Sequence, residues 1–147
     1  MTTRLKHMLS ADDQRFREDF EAGRVAPADF NHRAHVRLAY IYLAQNAPEA
    51  AIALMRSALR DFLRHHGVAP AKYHETLTRA WILAVRHFMG KAAPAASADA
   101  FIDANPELLD SKIMMTHYSA ELIFSPEARE RFVAPDIQPI PTPEQVE

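Results

Sequence analysis

Three histidines, His32, His35 and His74, are the residues of this chain whose type and spacing could carry chemistry. His32 and His35 stand three apart, so on a helix their Cβ atoms lie about 5–6 Å from each other and both rings can reach one cation. A third imidazole from a neighbouring helix would complete a nitrogen-rich site for Zn, Fe, Cu or Ni. The positive end of a helix disfavours imidazolium, which keeps rings placed there in the neutral form that binds metal. Downstream, His117 and Glu121 are spaced to offer a fourth ligand from one helical face, and Glu75, beside His74, is the candidate acid/base. The competing role for Glu75 is a salt bridge with Arg79, four positions on.

Those side chains meet only if helices position them. The chain has 147 residues, 48% of them apolar and 24% charged, with three glycines and no run of alternating β-branched residues, so a single all-α domain is expected. Ser10 caps a first helix through Phe16 and Phe20 toward Gly23, and Asn31 caps a second through the apolar run from Val36 to Leu43. Pro48 opens a third that carries Ile52, Met55, Leu59, Phe62 and Leu63 and ends near Gly67. Pro70 is expected to open a fourth, through Tyr73, Trp81 and Phe88. Ser97 caps a short turn ending at Asn105, and a fifth long helix is expected from about Pro106 to Phe124, followed by a last short one capped by Ser125. The expected organisation is a bundle of about five main helices over residues 1–134 and an extended Pro-rich tail over 135–147, punctuated by Pro135, Pro139, Pro141 and Pro143.

Short connections make the second, third and fourth helices an up-down-up series, which puts the starts of the second and fourth at one end. Counting 100° per residue places His32 and His35 on the apolar stripe of the second helix, His74 on the continuation of the Leu77, Trp81, Ala84, Val85, Phe88 stripe, and His117 with Glu121 on the stripe of the fifth. The four tyrosines and Trp81 are expected in the core, His65, His66 and His87 at the surface or at helix ends, and His7 in a flexible segment.

Several chemistries are excluded or disfavoured. The chain has no cysteine, which removes disulfides, thiolate metal sites and a cysteine nucleophile. His74-Glu75 is followed by Thr78 where a zinc-protease helix carries its second histidine, no Glu-x-x-His pair exists for a ferritin-like di-iron site, and no His-Asp dipeptide occurs. A formal net charge of −2 gives no broad surface for phosphate backbones, so no nucleic acid is expected as a partner. No apolar run resembles a signal peptide or reaches membrane-spanning length, so the expected compartment is the cytoplasm and no membrane partner is expected.

The blocks Phe30-Asn31-His32-Arg33-Ala34-His35-Val36, Tyr73-His74-Glu75-Thr76-Leu77-Thr78 and Tyr118-Ser119 through Pro135-Asp136 resemble the signature blocks of a family of small, uncharacterised bacterial all-helical proteins. The resemblance spans roughly residues 28 to 141. It implies that the histidine blocks form one unit, and it carries no activity, substrate or cofactor.

Three functions stay open at this level. The leading expectation is a metal-binding helical protein or metal-dependent enzyme with His32, His35 and His74 as ligands and His117 or Glu121 as the candidate fourth; a three-histidine site would leave a position for an activated water. The second is a non-enzymatic module that binds a small anionic ligand at the end of the bundle. The third is a structural or interaction protein with a buried histidine network, and a homodimer stays open throughout.

Overall fold

The computed structural model describes residues 6–141. Among them are seven α-helices, α1 (Ala11–Glu21), α2 (His32–Gln45), α3 (Pro48–His65), α4 (Glu75–Lys91), α5 (Ala98–Ala104), α6 (Ala120–Ile123) and α7 (Pro126–Glu130), four 3-10 turns and no strand. The five main helices, α1 to α5, pack together, with α2 and α4 as the central pair and α3 across both.

Local chemistry explains most of the starts. The Ser10 hydroxyl accepts from Asp13 N at 3.0 Å while the Asp13 carboxylate accepts from Ser10 N at 3.0 Å, a reciprocal cap that opens α1. Asn31 accepts from Ala34 N at 2.9 Å to open α2, and Ser97, Ser119 and Ser125 do the same for α5, α6 and α7. Pro48 stands in the first turn of α3, where its missing N–H costs nothing. α3 closes where Gly67 turns into the left-handed region, at φ 68°, and Val68 N reaches back to Leu63 O at 2.9 Å.

On α2, α3 and α4 the apolar faces named by helical counting are the faces that pack. Phe20 of α1, Leu38 and Ile41 of α2, Ile52 and Met55 of α3, Trp81 and Val85 of α4 and Phe101 of α5 share one core, and Tyr40, Tyr42 and Tyr118 are fully buried within it. Burying a side chain of this size contributes about 1.5–3 kcal/mol. Each buried phenol has an acceptor: Met8 O for Tyr40 at 2.8 Å, Glu21 for Tyr42 at 2.5 Å and Val133 O for Tyr118 at 2.7 Å.

Two elements differ from the sequence expectation. Pro70 opens a 3-10 turn, Pro70–Lys72, and α4 begins only at Glu75, because His74 takes the capping position with extended backbone. The expected long helix from Pro106 to Phe124 is absent; the segment forms two 3-10 turns, Pro106–Leu109 and Ser111–Thr116, and the four-residue α6. Asp110 bonds Lys112 N and Ser119 bonds Leu122 N, so two short polar side chains each restart the backbone where the apolar spacing alone would continue a helix.

The described part of the tail is irregular but attached. Asp136 accepts from the amide and hydroxyl of Ser119 at 2.8 and 2.6 Å, Ile137 N bonds His117 O at 2.9 Å, and Ile140 is buried. Residues 142–147, Pro143 included, lie outside the described residues. No helix among the described residues is long and apolar enough to cross a membrane.

Gly23, just after α1, has φ 77° and an added Cβ would lie 2.7 Å from the His65 ring. Gly23→Ala is therefore expected to lower stability by about 1–2 kcal/mol, most of it backbone strain because the exposed His65 ring can swing aside. Urea denaturation of the two proteins checks this, and an unchanged midpoint would show that the turn relaxes freely.

Candidate functional site

Each block of the sequence that carries a histidine holds a different part of the chain in place. In the first, Arg33 pairs with Asp99 and Asp103 of α5, both at 3.1 Å, and His32 Nε2 donates to Leu108 O at 2.9 Å with its ring edge-on to Trp81 at 4.6 Å. His35 lies nearly parallel to Phe30, with ring centroids 5.8 Å apart, and its Nε2 is out of reach of solvent without a hydrogen-bond partner. Burial, and secondarily the nearby His32, pushes the His35 imidazole down to about 4, so the ring is neutral at physiological pH.

The second block works residue by residue. His74 uses both nitrogens: Nδ1 accepts from Leu77 N at 3.1 Å to cap α4, and Nε2 donates to Ile123 O at 2.7 Å. Burial lowers its pKa, and these two bonds fix the neutral Nε2–H tautomer. Glu75 is gripped by Arg56 through Nε and Nη2 at 2.9 and 2.6 Å, and the Tyr73 phenol donates to the same carboxylate at 2.7 Å. Arg56 foremost, against the opposing effect of burial, holds Glu75 below the usual carboxylate range. Burial and Glu75 push Tyr73 up to about 12. Thr76 donates to Arg131 O at 2.9 Å and accepts from Val133 N at 3.1 Å.

These placements do not bring the expected quartet together. His32, His74 and His117 each spend a ring N–H on a backbone carbonyl, of Leu108, Ile123 and Gln138 in turn, and His35 points into the aromatic cluster around Phe30. Glu121 is exposed on the first turn of α6, away from any continuous fifth helix. Among the described residues no group of three His, Asp or Glu side chains is placed to hold a metal ion. The physical reason is the irregular chain from Pro106 onward, whose carbonyls lack helical partners and draw the histidine N–H groups as donors. Glu75 is not the partner of Arg79, which pairs with Glu49 at 2.6 Å; Arg56 holds its carboxylate ionised. His7 is likewise ordered: Nε2 donates to Met89 O at 2.8 Å and Nδ1 accepts from Ala95 N at 3.1 Å. His66 ends α3 as expected, but its Nε2 is buried without a partner against Phe62.

What the second block does build is a cleft of about 740 Å³ between the end of α3, the connection from Gly67 to Tyr73 and α7. Val68, Pro70, Ala71 and Tyr73 give it an apolar side, and Arg60, Arg64 and Arg129 ring it with cations. Arg64 is paired with Asp61. Among the described residues Arg60 and Arg129 have no carboxylate within salt-bridge range; instead the Arg60 guanidinium sits over the Tyr73 ring, 4.8 Å from its centroid, and Arg129 Nη1 donates to Ala71 O at 3.1 Å. The Ile123 and Arg131 carbonyls held by His74 and Thr76 flank α7, so the block anchors the wall that carries Arg129. Sequence reasoning missed Arg60 and Arg129. The signal available was Arg56, Arg60 and Arg64 at four-residue spacing on α3, one turn after another on a single face.

A second cleft of about 740 Å³ lies at the opposite end, where α2 and α4 finish, with Leu43, Met89 and Pro94 in its walls. Its His7 and Arg86 already have partners. No protein-family model, curated protein or solved structure matches the chain.

Proposed function

We propose that the protein is a non-enzymatic small-ligand-binding module whose site is the Arg60–Tyr73–Arg129 cleft. The observation that carries this reading is a concave, half-apolar surface of ligand size bearing two arginines that form no salt bridge among the described residues. Both arginines are already held, one over a ring face and one by a carbonyl, so little ordering remains on binding. The ionisable groups beside the cleft favour binding over turnover: Tyr73 keeps its proton, and Glu75 is locked to Arg56.

The test is titration of ¹⁵N-labelled protein with 8-anilinonaphthalene-1-sulfonate, an anion with an apolar body. Saturable amide shifts confined to residues 63–73 and 129–130 are expected. Shifts centred on residues 43–48 and 86–94, or none that saturate, would overturn the assignment.

A further inference from the structure

We infer that the ligand of this cleft is a monocarboxylate with an apolar body, bound with its head group between Arg60 and Arg129 and its body along Val68, Pro70 and Tyr73. This rests on the binding reading above and narrows it to a chemical class.

Charge selects a monoanion. The cleft is lined by Arg60, Arg64, Arg129 and Glu130, and Arg64 is already matched by Asp61. Two unmatched cations against one carboxylate leave a single net positive charge. Behind them Arg56 and Glu75 form a pair of zero net charge through two bonds of 2.9 and 2.6 Å, although Glu75 also lies close enough to Arg60 to feel its charge. A dianionic phosphate would carry one charge without a counterpart and would face Glu130; in a partly desolvated cleft both effects count against it. A carboxylate matches the arginine fork, whose paired N–H donors meet its two oxygens side by side. Arg129 has donors to spare, since only Nη1 is used by the Ala71 and Lys72 carbonyls, at 3.1 and 3.4 Å.

The walls select an apolar body. From Val68 to Ala71 the connection presents only Val, Ala and Pro side chains, and Leu63 and Tyr73 continue that surface. Gly67 stands at the rim with no atom within 4 Å of the place a Cβ would occupy, which leaves room for a body longer than the wall itself.

The experiment is isothermal titration calorimetry of the full chain with three ligands sharing one eight-carbon tail: octanoate, octanol and octyl phosphate, at mildly alkaline pH where the phosphate is doubly ionised. Octanoate is expected to bind about tenfold or more tightly than either of the others. Arg60→Met, which keeps an apolar side chain over Tyr73, is expected to erase that preference; Arg60→Lys is expected to retain part of it. Octyl phosphate binding as tightly as octanoate, or octanol matching octanoate, would overturn the carboxylate assignment and leave the binding reading standing. Failure of all three ligands together with absence of saturable anilinonaphthalene sulfonate shifts at the cleft would overturn both.

Discussion

Asp13→Ala is expected to cost about 3–5 kcal/mol, the range for removing one partner of a buried ion pair and leaving the other unmatched. Asp13 is 1% exposed, yet it joins three helices. One carboxylate oxygen accepts from Ser10 N and from Ala98 N, at 3.0 and 2.9 Å, capping α1 and meeting the first residue of α5; the other takes Arg37 of α2 at 3.2 Å. Burial by itself raises the Asp13 pKa, but the bonds from the Ser10 and Ala98 amides and from Arg37 outweigh it and hold the group below the usual carboxylate range. The loss would remove a large share of the roughly 5–15 kcal/mol typical of a domain. Asp12, its neighbour, is the internal control, since its side chain is 78% exposed and among the described residues pairs with Arg15. Asp12→Ala should change the urea midpoint by no more than about 0.5 kcal/mol equivalent. Equal effects for the two variants would show that Asp13 is not the anchor described. Because its folded pKa is depressed, the stability Asp13 contributes is present above the ordinary carboxylate range and is lost as pH falls below it.

The spacing from Ser10 marks Asp13 rather than Asp12 for the capping box, but nothing in the sequence shows that it also meets Ala98 and Arg37, and there sequence reading stops. Caps are local events: Ser10, Asn31, Ser97 and Ser125 bond amides three residues away, so four helix starts were legible from residue type and spacing. Apolar stripes were legible for the same reason, and they located the core. From Pro106 to Phe124 the apolar spacing suits a helix, but Asp110 and Ser119 offer the backbone a competing partner, and spacing does not weigh that competition. The histidines show the larger difficulty. Rotation about a helix axis gives the face a ring occupies, not the acceptor it finds there. His32 and His74 do face inward, but what they meet is Leu108 O and Ile123 O, carbonyls of a segment whose course the pattern had misread. The cleft was illegible for a related reason: Arg60 and Arg129 are 69 positions apart in the chain, and it takes the His74 and Thr76 bonds to the last turns, together with those of Arg129 to Ala71 and Lys72, to set α7 beside α3.

The second large effect is acid destabilisation through His35. The unfolded chain protonates this histidine near 6.5, whereas the folded protein does so only at about 4, because Nε2 is buried beside Phe30 without a partner and His32 lies near. Between those values the unfolded state binds the extra proton, so stability rises with pH through the window: it is full above about 6.5 and has lost the His35 contribution by about 4. The size is at most roughly 3 kcal/mol, one pKa unit being about 1.4 kcal/mol. His74, also lowered by burial, acts in the same direction, since protonating Nδ1 would break its bond from Leu77 N; Asp13 and Glu75 are held below the carboxylate range and act only in stronger acid. His35→Phe keeps a flat ring on Phe30 and removes the group that titrates. The variant should therefore hold its stability across the window better than the parent, and at neutral pH it should also gain about 1 kcal/mol or more from losing an unsatisfied buried nitrogen. Urea titrations of both proteins from neutral pH down to about 4 read both quantities. Parallel losses in parent and variant would move the proton to another group, with His74 the next to replace.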